Sequence, residues 1–216
     1  MKPRLRCGWL APLGLVALLA GCAKAPGPVA PAGGGVESNI APVKLAHTVC
    51  ATCHGFDGNS GSPQFPKLAG QQREYLVAQL TDFKGHARAD ITGQQFMWGF
   101  THLSQEQIDG LADYFSSQTP MKGHGTPSGE RGAMLFQQGS PTAGVPACVS
   151  CHGAQGEGRG QFPRLAGQHA DYVYKQLKVF QTTEDRPRGA PMRVVAHNLT
   201  DADARALAQY ISTLGQ

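Results

Sequence analysis

Cys50-Ala51-Thr52-Cys53-His54 and Cys148-Val149-Ser150-Cys151-His152 are two copies of one short pattern, C-x-x-C-H, each followed at once by Gly. Two thiols at this spacing with an adjacent His match the attachment site of a c-type haem. The thiols form thioethers with the two vinyl groups of one porphyrin, and the imidazole swings beneath the ring to bind iron. The candidate attachment residues are Cys50, Cys53, Cys148 and Cys151, and the candidate iron ligands begin with His54 and His152. A single four-thiolate zinc site is a weaker reading, because its pairs usually stand roughly 15–20 residues apart, and the Cys after Cys53 is Cys148. A thioredoxin-like redox pair explains neither His.

The segments downstream of the two motifs repeat as well. Gln64-Phe65-Pro66-Lys67-Leu68-Ala69-Gly70-Gln71 returns as Gln161-Phe162-Pro163-Arg164-Leu165-Ala166-Gly167-Gln168, and Tyr75, Leu80 and Phe83 return as Tyr172, Leu177 and Phe180. Tandem duplication is the simplest account. Each copy reads as helical: Leu76, Leu80 and Phe83 stand at i, i+4 and i+7 between Gln71 and Phe83, and Val173, Leu177 and Phe180 do the same. These two stripes are expected to pack over the cofactor. Ser104 with Gln107 forms a capping-box pattern that opens a helix bearing Ile108, Leu111, Ala112 and Phe115 on one face. Thr200 with Asp203 opens the matching last helix through Ala204, Leu207, Ala208 and Ile211. Short helices are predicted before each motif, over about 42–49 and 128–138, and no stretch alternates as a strand. The expected fold is all-α, with one domain over 41–120 and a second over 121–216. Residues 120–128 join them, and residues 139–146 read as a loop inserted only in the second. Domains this small bury limited apolar surface and need a staple, which a covalent haem supplies.

The chemistry turns on the sixth iron ligand. Met97 is the only Met between His54 and the end of the first copy's last helix, and Met192 is the only one after His152. Each precedes the closing helix of its copy. A lone Met is ordinarily core filling, but repetition at this position favours thioether ligation, which stabilises ferrous iron and suits electron transfer. Met97 sits in Phe96-Met97-Trp98-Gly99-Phe100 and Met192 in Ala190-Pro191-Met192-Arg193, so the two loops differ, and His102 is the nearest rival ligand to the first iron. His86, His124, His169 and His197 read as surface residues and His47 as structural.

Lys2, Arg4 and Arg6 precede an apolar run, Trp9 to Ala20, with the pattern of a secretory signal over 1–21. The run ends Leu19-Ala20-Gly21-Cys22, which resembles the lipobox of bacterial lipoproteins and makes Cys22 a candidate lipidation site; Cys7 is removed with the signal. Residues 22–40, rich in Pro, Gly and Ala, read as a tether. Of the 19 Lys and Arg, three lie in the signal, so the remaining 16 face 15 Asp and Glu in the mature chain. No basic excess argues for nucleic acid. The copies differ in charge: residues 41–120 carry 5 Lys and Arg against 7 Asp and Glu, and residues 121–216 carry 10 against 7.

Together, the C-x-x-C-H motifs and the Phe-Pro-x-Leu-Ala-Gly-Gln repeat resemble the class I cytochromes c, and their tandem arrangement is similar to the diheme cytochrome c4 family. The resemblance covers about 41–216. It implies two class I cytochrome c domains, each wrapped around one covalently bound haem, that carry electrons from a quinol-oxidising complex toward a terminal oxidase or reductase on the periplasmic side of a bacterial membrane. It implies that the carbonyls of Pro66 and Pro163 accept the Nδ1–H of His54 and His152, and that Tyr75, Tyr172, Arg88 and Arg188 lie near haem edges. With both iron faces filled, the expectation is a carrier and not an enzyme. The rivals are a diheme peroxidase with an open iron face, supported only by His102 and the altered Met97 loop, and a permanent cytochrome subunit of a membrane dehydrogenase or oxidase.

Overall fold

The computed structural model describes residues 40–100, 102–125, 129–182 and 184–215. The signal, Cys7, Cys22 and nearly all of the expected tether lie outside them. Every named element among the described residues is helical, with only two isolated bridges, Ser140 to Val145 and Arg159 to Phe162.

In the first half, helix α1 (Pro42–Leu45) starts on a proline whose missing N–H costs nothing there. It runs without a break through a π-turn (Ala46–Cys50) into α2 (Ala51–His54), so the helix leading to the motif and the motif itself are one continuous element. Helix α3 (Arg73–Lys84) buries Leu76 and Phe83. Helix α4 (Ile91–Met97) is capped by Asp90, whose carboxylate accepts from Gly93 N–H at 3.0 Å. Helix α5 (Gln105–Ser116) opens on the expected capping box: Ser104 Oγ accepts from Gln107 N–H (3.1 Å), and Gln107 Oε1 accepts from Ser104 N–H (2.9 Å). Ile108, Leu111, Ala112 and Phe115 face inward and pack with Leu45, Ala46, Leu76 and Leu103 into one core.

The second half repeats the plan with α6 (Glu130–Gln138), α7 (Val149–His152), α8 (Ala170–Thr182), α9 (Ala190–Ala196) and α10 (Asp201–Thr213). Thr200 Oγ1 caps α10 through Asp203 N–H at 3.1 Å. Leu135, Phe136, Val173, Leu177, Ala204, Leu207, Ala208 and Ile211 lead a separate core. The extra loop folds back on itself through a 3-10 turn (Pro141–Ala143), with Ser140 N–H donating to Val145 O at 2.7 Å.

The repeated Phe-Pro-x-Leu-Ala-Gly-Gln segment does two things in each half. Its glycine, at φ +62 in Gly70 and +77 in Gly167, lets the chain turn and pass the connector closely; a Cβ would lie 2.6 Å from Pro120 Cα or 2.7 Å from the Lys122 carbonyl carbon. Its glutamine crosses to the other half. Gln71 Oε1 accepts from Arg164 N–H (2.6 Å) while its Nε2 donates to Arg164 O (3.0 Å); Gln168 makes the same pair of bonds with Lys67 N–H (2.9 Å) and Lys67 O (3.0 Å). Both glutamines are buried. The halves are therefore joined by a reciprocal clasp that satisfies buried backbone groups on each side. Met121, fully buried, lies beside it, its carbonyl accepting from Arg164 Nη2 at 3.2 Å.

His169 departs from its surface reading. It is half-buried, and its Nε2 lies 2.8 Å from Ser60 O in the other half. A carbonyl only accepts, so Nε2 carries the proton, and the residue belongs to the contact between halves. Periodicity could not show this, because nothing local marks a residue whose partner stands 109 positions away.

Candidate haem-binding site

Each C-x-x-C-H motif sits on a helical turn (α2 and α7) that buries the histidine under its half. His54 Nδ1–H donates to Pro66 O at 2.8 Å, and His152 Nδ1–H donates to Pro163 O at 2.9 Å. Because a carbonyl only accepts, both rings carry their proton on Nδ1 and leave the Nε2 lone pair free for a metal. Burial lowers both imidazole pKa values; the proline carbonyl offsets this only in part, so both rings are held neutral. A neutral, oriented imidazole is what iron ligation needs.

The four cysteines Cys50, Cys53, Cys148 and Cys151 form no disulfides. Burial pushes the Cys148 thiol up to about 11. Cys53 holds the turn from its backbone, its carbonyl accepting from Ser60 Oγ at 2.8 Å.

The two histidines open on one apolar cavity of about 510 Å³. Cys50, His54, Pro66, Leu76, Leu80, Phe83 and Met97 line it from the first half, and Cys148, Cys151, His152, Pro163, Val173, Leu177, Phe180 and Met192 from the second. The two apolar stripes read from the sequence thus face the same space, as do both candidate methionines. His102 is exposed. Tyr75, Arg88, Tyr172 and Arg188 also line the cavity.

The cavity's charge is one-sided. Arg88, Arg164, Arg186 and Arg188 line it together with Lys67, and among the described residues no carboxylate does. Arg164 Nε is buried without a hydrogen-bond partner. An apolar ring edged with carboxylates, which is the chemistry of haem, suits such a cavity.

A second reciprocal network holds the cavity's rim. Arg88 Nη1 donates to Gln79 Oε1 (2.8 Å) and its Nη2 to Gln176 Oε1 (3.4 Å), while Arg186 Nη2 donates to Gln79 Oε1 (3.0 Å) and its Nη1 bonds Gln176. Each guanidinium lies over an aromatic ring of its own half, Arg88 over Phe83 at 4.5 Å and Arg186 over Phe180 at 4.7 Å. Asp90 pairs with Arg88 at 2.9 Å, and Asp82 pairs with Arg188 across the halves at 2.8 Å. Burial pushes the Asp90 carboxyl up, but the charge and hydrogen bond of Arg88, the charge of Arg186 and the Gly93 N–H outweigh it, so Asp90 stays below the usual carboxylate range. No sequence signal marks Gln79 and Gln176, whose role exists only when two halves meet.

Known proteins point the same way. The cytochrome c family model matches residues 43–119 and 129–215. The cytochrome c4 of Stutzerimonas stutzeri is 40% identical over 182 residues, covering 77% of this chain and 84% of the relative. The structure of cytochrome c4 from Acidithiobacillus ferrooxidans superposes with a TM-score of 0.70 at 39% identity, covering 76% of this chain and 98% of that one. A thiosulfate dehydrogenase electron acceptor of Thiomonas intermedia is 36% identical over 173 residues, covering 76% of this chain and 77% of the relative. With its paired motifs, its two helical halves and the cavity they share, the chain belongs to the cytochrome c family in its cytochrome c4 branch, and it carries two covalently bound haem c groups.

Proposed function

We propose that the protein is an exported carrier that passes single electrons between respiratory redox partners, with domains over 41–120 and 121–216. In this reading Cys50 and Cys53 bind one haem and Cys148 and Cys151 the other, His54 and Met97 ligate the first iron, and His152 and Met192 ligate the second. The observation that carries the reading is the pair of His–Pro hydrogen bonds beside one apolar cavity that a methionine from each half also lines.

Bound haem supplies a one-electron ferric–ferrous couple whose potential the protein tunes by ligand, burial and hydrogen bonds. The chain's residues do the rest. Pro66 and Pro163 hold the imidazoles, Met97 and Met192 would supply the second protein ligand to each iron, and the two apolar stripes would keep water from the rings. An iron held by both His and Met would leave no place for substrate, which favours a carrier over a peroxidase. The charge difference between the halves gives each its own encounter surface, since opposite patches steer transient redox partners.

The donor is read as a quinol-oxidising complex and the acceptor as a terminal oxidase or reductase, on the periplasmic side of a bacterial membrane. Cys22 would anchor the protein by its lipid, with residues 22–40 as a tether. Among the described residues no helix is long and apolar enough to cross a membrane. A second reading, an electron-accepting subunit held by one dehydrogenase, is favoured by the resemblance to a thiosulfate dehydrogenase electron acceptor; co-purification distinguishes the two.

The test is the absorption spectrum of purified holoprotein, with haem counted per chain and the far-red band of Met-ligated ferric haem counted per haem. Two haems and a full band for both support the carrier. Two haems with half the band mean that one iron has another ligand or an open face.

A further inference from the structure

The two candidate methionines stand at different places in their helices. Met97 is the last residue of α4, where the chain passes into a 3-10 turn (Trp98–Phe100), whereas Met192 lies in the first turn of α9. A residue at the fraying end of a short helix owes little of its position to the helix itself. In the first half the next side chain supplies the hold. Trp98, half-buried, donates its indole Nε1–H to Arg88 O at 3.0 Å and stacks on His86, with ring centroids 4.2 Å and planes 24° apart. The same Arg88 sends its guanidinium to the cavity rim, where Gln79 and Asp90 accept from it. The indole thus ties the residue after Met97 to a segment already fixed at the cavity.

The two halves satisfy one carbonyl in two ways. Arg186 O, the counterpart of Arg88 O, accepts from Gly189 N–H at 2.8 Å within its own 3-10 turn (Pro187–Gly189). Arg193 and Glu184, which stand where Trp98 and His86 stand, form an ion pair with both side chains more than half exposed. Such a pair holds little, and salt screens it. The first half keeps a strained backbone for its tie. Gly85 ends α3 at φ −85, and the left-handed place after it, φ +56, falls to His86. Glycine is the usual occupant of that place, because a Cβ is strained there. Strain kept at one residue beside a ligand loop is a sign that its side chain is in use.

We propose that Trp98, with His86 stacked upon it, is a positioning residue that keeps the Met97 thioether on the first iron, and that the second haem has no equivalent. The proposal rests on the ligand set proposed above and adds what holds one of those ligands in place.

The test adds excess imidazole to the ferric holoprotein, so that an imidazole nitrogen takes the sixth position as the thioether leaves and the far-red band disappears. Each haem gives one band-loss phase, and the phase of the first haem is the one absent from Met97→Ala. Trp98→Ala is expected to speed that phase about tenfold; Trp98→Phe, which keeps a stacking ring and loses the indole bond, and His86→Gly, which loses the stack, about threefold each. The phase of the second haem keeps its wild-type rate in all three. His86→Gly also separates positioning from packing, because glycine relieves the left-handed strain: its denaturation midpoint is expected to hold or rise while Met97 leaves faster. An unchanged first phase in Trp98→Ala overturns the proposal. So does a gain in both phases alike, or a gain in the first that only tracks lost stability across the variants. Wild-type holoprotein with two haems and no far-red band from the first sinks the ligand set itself, a different failure that is read before any variant is made.

Discussion

Arg88-Ala89-Asp90 in the first half stands where Arg186-Pro187-Arg188 stands in the second, Phe56 where Ala154 stands, and Trp98 where Arg193 stands. Yet Arg88 and Arg186 make matching bonds to Gln79 and Gln176, Gln71 and Gln168 make matching bonds across the halves, and His54 and His152 lean on matching prolines. The features common to both halves hold the cofactors and join the halves. The features peculiar to one lie mostly at the surface. His86 stacks on Trp98 at 4.2 Å and takes a left-handed φ of +56, a strained conformation for a residue with a side chain; near the corresponding place in the second half is the exposed Glu184–Arg193 ion pair. Divergence has spared the His–Pro pairs, the clasp and the arginine–glutamine bonds, while the exchange of Asp90 for Arg188 reached the rim of the cavity itself.

The largest effect separates the cofactors. Cys148→Ser with Cys151→Ser is expected to leave one haem per chain by pyridine haemochrome and to lower the temperature at which the protein unfolds, and the matching pair Cys50→Ser with Cys53→Ser does the same from the first half. Two haems retained in either variant would break the assignment of attachment sites.

Next comes the rim of the cavity. Asp90→Ala leaves the buried Arg88 without its carboxylate and α4 without its cap, and is expected to cost about 3–5 kcal/mol in chemical denaturation. The second half has Arg188 at that position, and its buried Arg186 leans on the same Asp90 carboxylate at 4.0 Å. The wild-type contribution also has a pH signature. Asp90 is held below its unfolded pKa, so its stabilisation is complete above the ordinary carboxylate range and lost as pH falls through the lower folded value. Acid denaturation of wild type is expected to show this loss, and Asp90→Ala to lack it.

The clasp is tested by Gln71→Ala and Gln168→Ala. Each leaves a buried N–H and C=O of the opposite half unpaired, and each is expected to cost about 2–4 kcal/mol and to split one unfolding transition into two. Near-equal losses support a reciprocal clasp; a loss from one variant alone breaks the symmetry. The smallest effect compares caps. Ser104→Ala and Thr200→Ala are each expected to cost about 1 kcal/mol, the first more, because Gln107 returns the bond to Ser104 while Asp203 turns instead to Arg131 at 2.7 Å.

The parts of this molecule legible in its sequence are those with local causes. The helix faces and the two N-caps follow from spacing, the His–Pro relation is implied by the resemblance to the class I cytochromes c, and Ile108, Leu111 and Phe115 are buried as their period demands. The clasp has no local cause: Gln71 and Gln168 are visible as members of a repeat, but no spacing says that a side chain reaches a backbone 93 or 101 positions away. The same holds for His169 on Ser60 and for the Gln79–Gln176 rim. Met121 is silent because a methionine in a connector carries no periodic signal, although it is fully buried where the halves meet. The π-turn before Cys50 is silent because a helix that gains one residue per turn keeps its composition.

In the clasp, residue i of one half holds residue j of the other, and j of the first is held by i of the second; such self-complementary contact is isologous, the kind two identical subunits make about a dyad. A single-domain ancestor bearing Phe-Pro-x-Leu-Ala-Gly-Gln would have been equipped to dimerise by that segment alone. Fusion of two such copies would raise the local concentration of a contact each copy could already make.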